Sequence, residues 1–440
     1  VKSDARRVEH RRKFAGAQLS ILAVMLLSSF AVAQPALTLS QALDQARAQS
    51  RDVQAANARL DQASAAVDAS RAGLLPLVSL QGRYTRNSKQ ASIDVPEASS
   101  SGGPPSLKTV VITDQNQLDG IIAVTAPLVA PAAWGAYSAA RESHQAQEAT
   151  RDATETAVLV GVAQAFYQAA AADEALAARH HSVEVARRTW DDALALIEAG
   201  RATRVDGARA QLALIRAEQA EEEAIELRSR AYRALATLIS KPEAFQVTPP
   251  SVPAEDAPVA PGPRPDLVAV QRTASAQHAQ AFASALRWAP ALSAFGSVRA
   301  TSAAGMSGEH APWAVGLQLD WAIYDGGNRD AARRSAEATE HEAELRAAQL
   351  SAQISDEVAN AVAAVKLKRT AIAAAQRAVE LATQTLELTR VQQEGGRTTQ
   401  LELLQAQDAL VGSELTLAQS RLDFGLAETE LKRATGGVLQ

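Results

Sequence analysis

The sequence predicts a mainly α-helical protein with a small β part, built from two copies of one unit. Three observations carry this. Apolar residues make up 47% of the 440-residue chain, yet aromatics only 4%, and much of the apolar share is Ala. Alanine loses no side-chain entropy in a helix and lets helices approach closely, so thin, extended helical layers are favoured over a thick core. Second, "EAGRATRVDGARAQ" (198–211) and "EGGRTTQLELLQAQ" (394–407) spell one helix break twice. Third, "RDVQAANARLDQASAAVDASRAGLLPLVSLQG" (51–82) runs parallel to "PDLVAVQRTASAQHAQAFASALRWAPALSAFG" (265–296), pairing Asp52 with Asp266, Pro76 with Pro290 and Gly82 with Gly296. Internal repetition of this kind decides an architecture before any single element does.

Residues 1–33 form an expected, cleaved signal peptide. "RRVEHRRKF" is its basic region, "AGAQLSILAVMLLSSF" its apolar region, and Ala31-Val32-Ala33 its small-residue cleavage site. The apolar run is shorter than the ~20 residues of a membrane-spanning helix. Cleavage removes Lys2, Arg6, Arg7, Arg11, Arg12 and Lys13 against Asp4 and Glu9, making the mature chain more acidic than the formal −5 of the whole. An acidic protein argues against nucleic acid as partner. With no cysteine there is no disulfide, thiolate metal site or cysteine-borne lipid anchor.

The first repeat is expected over 34–240: a helix, strands at about 77–86 and 118–128, a long helix at about 132–199 and a helix at about 204–240. The connector 87–117, which opens with "NSKQASIDVPEASSSGGPPSLKT", has the composition of an exposed mobile loop. Proline-dense 241–264 reads as an extended linker. The second repeat, 265–440, has a helix, strands at about 291–300 and 313–323, a long helix at about 328–394 and a helix at about 399–435.

In the second long helix Val358, Val365, Ile372, Val379 and Leu386 recur every seven residues, interleaved with Ile354, Ala361, Ala375 and Ala382. The matching row in the first is Val162, Ala169, Leu176, Val183 and Trp190. A sustained heptad is a coiled-coil signature with left-handed supercoiling. A second row, Leu367, Ala374, Leu381 and Leu388, lies on another face, so this helix needs neighbours on both sides, as in a wall of helices. Each such helix spans roughly 100 Å at 1.5 Å per residue.

The strands alternate. Val78, Leu80 and Tyr84 oppose Ser79, Gln81, Arg83 and Thr85, and Ile122 and Val124 oppose Ala123 and Thr125. Val315, Leu317, Leu319 and Trp321 oppose Gly316, Gln318 and Asp320. In 291–300 the pattern is weaker: Leu292 joins the apolar set, but Phe295 falls on the polar side. Each run has the length of a tilted membrane strand. Sheet backbone in lipid must close on itself, and four strands cannot, since the smallest bacterial barrels have about eight. Several copies would pool eight, twelve or sixteen strands. Each half supplies one full-length helix and two half-length ones stackable end to end, hence four helix-wide columns to continue four strands.

Through "LTLSQALDQA", both "LP/AP" strand starts, "LDWAIYDGGNRDAARRSA" and the paired "GRxT-x-x-acid…AQ" breaks, the chain resembles the TolC-like outer-membrane efflux proteins of Gram-negative bacteria over about 38 to 437. The resemblance implies a homotrimer in the outer membrane: a twelve-stranded β-barrel in lipid, continued by an α-helical barrel across the periplasm. It implies a passive exit duct of a tripartite efflux or type I secretion system, docked to a periplasmic adaptor and an inner-membrane pump, with no enzyme activity and no cofactor. The lipid-facing set would be Val78, Leu80, Tyr84, Ile122, Val124, Leu292, Val315, Leu317, Leu319 and Trp321.

Physically, the breaks are places to stop and restart a helix. Gly200 and Gly395-Gly396 suit the left-handed C-cap, and Thr203 and Thr399 suit N-caps with Asp206 and Glu402 three residues on. The resemblance adds roles. Gly200, Arg201 and Thr203 with Gly395, Gly396 and Thr399 match adaptor-docking turns. Asp206 and Glu402 match acids at the channel mouth, where rings of them would favour cations and raise one another's pKa values. Gln405 stands where some members carry a second mouth acid, Gln392 and Gln393 stand in the region of their gating tyrosine, and Arg397 is a gate candidate.

No catalytic or metal constellation is expected. "SGGPPSLKT" lacks the ending of a phosphate loop, "YDGGNRD" is no dinucleotide fingerprint, and His180-His181 with Glu184 reads as a solvated helix face. Trp134, Trp313 and Trp321 flank the strands, where interfacial aromatics belong. The competing reading is a secreted or periplasmic coiled-coil scaffold whose sheet stays in water.

Overall fold

A computed structural model describes residues 36–97, 106–241, 245–249, 262–302 and 307–437. The expected signal peptide, 1–33, and most of the expected linker, at 242–244 and 250–261, lie outside the described residues. The chain opens with β1 (Ala36–Leu37), α1 (Leu39–Gln49) and α2 (Arg51–Ala72), then β2 (Leu77–Arg86), β3 (Ala91–Glu97), β4 (Ser106–Thr113) and β5 (Asn116–Val129). The helices α3 (Pro131–Glu198) and α4 (Arg204–Leu238) follow, then β6 (Gln246–Val247), α5 (Pro265–Leu286), β7 (Ala291–Thr301), β8 (Trp313–Asp320), α6 (Asn328–Glu394) and α7 (Gln400–Ala434).

Two helices dominate. α3 has 68 residues and α6 has 67, so each is roughly 100 Å long. α3 packs against α2 and α4 on one side and against α5 and α7 on the other, and α6 packs against α5 and α7. The shorter helices therefore stack in pairs, and the helical part is a wall of four columns: α2 with α4, then α3, then α5 with α7, then α6. Heptad positions explain the order. Val162 and Ala169 are fully buried, and Val365, Ile372, Ala361, Ala375 and Ala382 are buried against the chain's own α5 and α7. The second row on α6 is bare: Leu367, Leu381 and Leu388 are each more than 60% exposed.

The thickest packing lies midway along α3. Phe166, Val162 and Ala169 meet Leu43 and Ala46 of α1, Leu235 of α4, and Leu37 and Val247 of the parallel pair β1–β6. Thr38 starts α1 with a capping box, its hydroxyl accepting from the Gln41 N–H while the Gln41 side chain accepts from the Thr38 N–H.

The main sheet has four antiparallel strands in the order β2-β5-β7-β8. β2 and β8 are open edges. The connector expected as a loop contains a hairpin instead: β3 pairs with β4, Ile93 opposite Val110 and Asp94 opposite Thr109, whose hydroxyl donates to the Asp94 carboxylate at 2.6 Å. Its polar, Gly/Pro-rich composition masked a short alternation, Ile93 and Val95 against Ser92 and Asp94, which faces Val110 and Lys108 on the partner strand.

Candidate functional site

At the far end of the wall from the sheet, the two breaks have one geometry. α3 ends at Ala199 and Gly200, and Gly200 takes φ +69 so that the Arg201 N–H can return to the Leu196 carbonyl at 2.8 Å. α6 ends at Gly395 and Gly396, where Gly396 takes φ +70 and the Arg397 N–H reaches the Gln392 carbonyl at 2.8 Å. The left-handed residue of the second turn is thus Gly396. Gly395, at φ −78, stands where Ala199 stands in the first.

Each turn then restarts a helix. The Thr203 hydroxyl accepts from the Asp206 N–H at 3.3 Å, and the Asp206 carboxylate accepts from the Thr203 N–H at 3.1 Å and its hydroxyl at 2.7 Å. Thr399 and Glu402 repeat the backbone pair at 3.3 and 3.2 Å, while the neighbouring Thr398 hydroxyl also donates to Glu402. The hydroxyl and N–H of Thr203 lower the pKa of Asp206, against a small opposing contribution from burial. Within one chain the acid is therefore held ionised by its own cap. The start of α4 lies close against the end of α3, where a Cβ at Gly207 would come within 2.6 Å of Ile197 Cδ1.

One cleft joins the two turns: it is lined by Leu196 and Arg201 from the first, and Gln393, Glu394 and Leu403 from the second. Nearby, Gln407 of α7 donates to buried Thr189 of α3 at 2.6 Å. Glu402, Gln405 and Arg397 are exposed, and Asp206 is partly covered. Arg397 makes no ion pair among the described residues, and Gln393 donates to Gln400 at 3.1 Å. His180 of α3 meets Glu221 of α4 at 2.6 Å, and that carboxylate raises the imidazole's pKa.

At the other end, register sorts the sheet into two faces. Val78 lies opposite Val124, Leu80 opposite Ile122, Ile122 opposite Val298, Leu292 opposite Leu319, Ala294 opposite Leu317 and Gly296 opposite Val315. This apolar face is bare: Leu80 is 78% exposed and Val315 72%. Tyr84 and Trp313 stand at its far end and Trp321 at the end nearest the helices, all exposed. Trp134, also exposed, lies in the first turn of α3. The opposite face carries Ser79, Gln81, Arg83, Asp119, Arg299 and Gln318. Phe295 is the aromatic exception there.

Among the described residues, several buried or half-buried ionic groups escaped the sequence reading, three of them between elements that shape the wall and the sheet. Arg329 at the start of α6 is held by Asp325 at 2.9 Å, donates to the Ala322 carbonyl and stacks on Trp288 with 4.3 Å to the ring centroid. This makes "YDGGNRD" the strand-to-helix hinge; the Asp-to-Arg spacing of one helical turn was its only sequence signal. Arg264, buried, holds Asp266 and reaches Glu357 of α6 at 2.7 Å, beside Arg433 of α7. Asp119 binds Arg299 across β5 and β7 at 2.8 Å.

A family model described as outer membrane efflux protein matches residues 42–241 and 260–437. Nodulation protein T of Rhizobium leguminosarum bv. trifolii is 25% identical over 418 residues, covering 90% of this chain and 85% of that one. Among solved structures, the Campylobacter jejuni CmeC outer membrane channel aligns with TM-score 0.77 at 17% identity, covering 91% of this chain and 85% of that one. The Vibrio cholerae outer membrane protein VceC aligns with TM-score 0.76 at 19% identity, covering 91% and 96%. At such identities these two likenesses establish a shared fold.

Proposed function

The chain belongs to the outer membrane efflux protein family, and from that premise we propose that three copies close a twelve-stranded barrel in the outer membrane and a helical barrel beneath it, forming a passive exit duct. The observation that carries this is the bare apolar face of the sheet together with its two open edges. A strand edge and an apolar face left in water are each a liability. Pairing β8 of one copy with β2 of the next removes the edges, and lipid covers the face. The bare row Leu367, Leu381 and Leu388 on α6 then meets the neighbour's α2–α4 column, where Leu212, Ile215 and Leu227 are exposed.

In this arrangement the paired turns form the periplasmic tip. Gly200, Arg201 and Thr203 with Gly395, Gly396 and Thr399 present the surface for a periplasmic adaptor, itself bound to an inner-membrane pump. Asp206 and Glu402 surround the mouth, with Gln405 and Arg397 close by. The duct has no energy source of its own; the pump supplies direction.

The test is recovery of the protein in outer membranes, heat-sensitive trimer migration on gels and a low conductance in planar bilayers. Replacing Asp206 and Glu402 together with Ala changes the conductance or its cation preference. A monomer soluble without detergent would end the proposal, and an unaltered conductance and preference in the double variant would remove the two acids from the mouth.

A further inference from the structure

The polar face of the sheet carries charge at one level that the tip acids do not balance. Arg83 on β2 lies directly opposite Asp119 on β5, which lies opposite Thr301 on β7, beside Arg299. Asp119 is already engaged. Only 4% exposed, it accepts from Arg299 Nε at 3.2 Å and Nη2 at 2.8 Å, and from Gln117 at 3.2 and 3.0 Å. Arg83 is exposed and has no ion-pair partner among the described residues. Among the strand residues of this face the Asp119–Arg299 pair cancels, leaving Arg83 as the one uncompensated charge at this level. The other carboxylate on this face, Asp320, lies opposite Ala291 at the helix end of β8, eight residues along β7 from Arg299, or about 26 Å away.

We propose that Arg83 makes the outer half of the lumen a cationic ring that concentrates anionic solutes, so that the duct passes from acids at the tip to a positive girdle near its exit. This rests on the trimeric reading above, in which the polar face lines the lumen. Twelve strands about 4.8 Å apart and tilted about 40° give a wall roughly 12 Å from the axis. An extended Arg side chain carries its charge about 6 Å inward of its Cα. Each guanidinium then lies within the Debye length of about 8 Å from the axis, so no ion can pass unaffected. Solutes with carboxylate or phosphate groups would be drawn through this section, and polycations would be repelled there.

Hexacyanoferrate(II), a compact polyanion, tests this in a planar bilayer. The helical part is too long and polar to cross, so it stays on the side of addition and the sheet's outer end opens to the opposite compartment. Probe added there should block the wild-type current, and Arg83→Gln should raise the blocking concentration about tenfold. Arg83→Lys should keep the block, and Arg83→Glu should exchange it for block by hexaamminecobalt(III). No block in the wild type, or the same blocking concentration in Arg83→Gln, overturns the ring while leaving the channel standing. Complete absence of channels overturns the trimeric reading and the ring with it.

Discussion

Phe295 of β7 lays the edge of its ring over Gly316 of β8: a Cβ at 316 would come within 2.9 Å of two ring carbons. This explains an aromatic on the polar face, because the ring takes the space that its cross-strand partner leaves empty. Such aromatic cover of a strand glycine packs a position that otherwise weakens a sheet.

Gly316→Val is therefore expected to destabilise the β7–β8 pair by the ~1–3 kcal/mol typical of overpacking. The measurement is the temperature at which trimers dissociate on gels. Combining Gly316→Val with Phe295→Ala should recover most of the loss, and an unchanged temperature in the single variant would refute the contact.

The capping boxes predict a pH dependence. Thr203→Ala should cost about 0.5–2 kcal/mol, the usual value of a lost N-cap. Asp206 has its folded pKa lowered from the ordinary 3.8, first by the Thr203 hydroxyl and then by its N–H. Its contribution is thus fully present above about pH 4 and is lost as pH falls through the lowered value. Melting wild type and Asp206→Ala between pH 7 and pH 3 should show a constant gap that narrows only at the acid end. A gap that widened on acidification would contradict the assignment.

The two boxes could be read in advance because Thr-x-x-acid after a Gly break is a local signal, complete within a few residues. The two apolar rows of α6 were equally legible, since a helix with two seams needs two neighbours; which row the chain itself covers was not. That depends on α5 and α7 arriving at Val365 and Ile372 rather than at Leu381, a long-range choice. Arg264 and Arg329 stayed hidden for the same reason. Each has an acid close by in sequence, Asp266 or Asp325, but the partners that complete its burial, Glu357 and Trp288, arrive from distant segments that no local pattern announces. The β3–β4 hairpin was missed because composition was read without pairing.

The bare α6 row yields a prediction that separates assembly from folding. Leu381 and Leu388 are 63% and 64% exposed in one chain. Changing both to Asp should leave the helical content by circular dichroism intact and reduce the heat-sensitive trimer more than about tenfold, because a charge buried unpaired at an interface costs several kcal/mol. Ile372→Asp, on the covered row, should reduce the helical signal itself. Trimers of normal stability from the double variant would place the contact between copies elsewhere.

Tyr167 and Gly425 supply the remaining test, on the contact between α3 and α7. The ring sits where a side chain at 425 would stand, since a Cβ there would lie within 2.4 Å of two ring carbons. Arg421 of α7 pairs with Glu174 of α3 at 3.0 Å close by, so helix backbone and salt bridge fix one register. Gly425→Ala must push the ring outward or part the helices, at an overpacking cost of about 1–3 kcal/mol. Burial, with Glu428 adding to it, pushes the Tyr167 phenol up to about 12. If the variant parts the helices and wets the ring, this phenol should ionise closer to the usual 10, visible by ultraviolet titration against a Tyr167→Phe control. In a Tyr167→Ala background Gly425→Ala should cost little further melting, because the added methyl then enters vacated space. A Gly425→Ala protein that melts and titrates like wild type would show that the two helices are not held at this point.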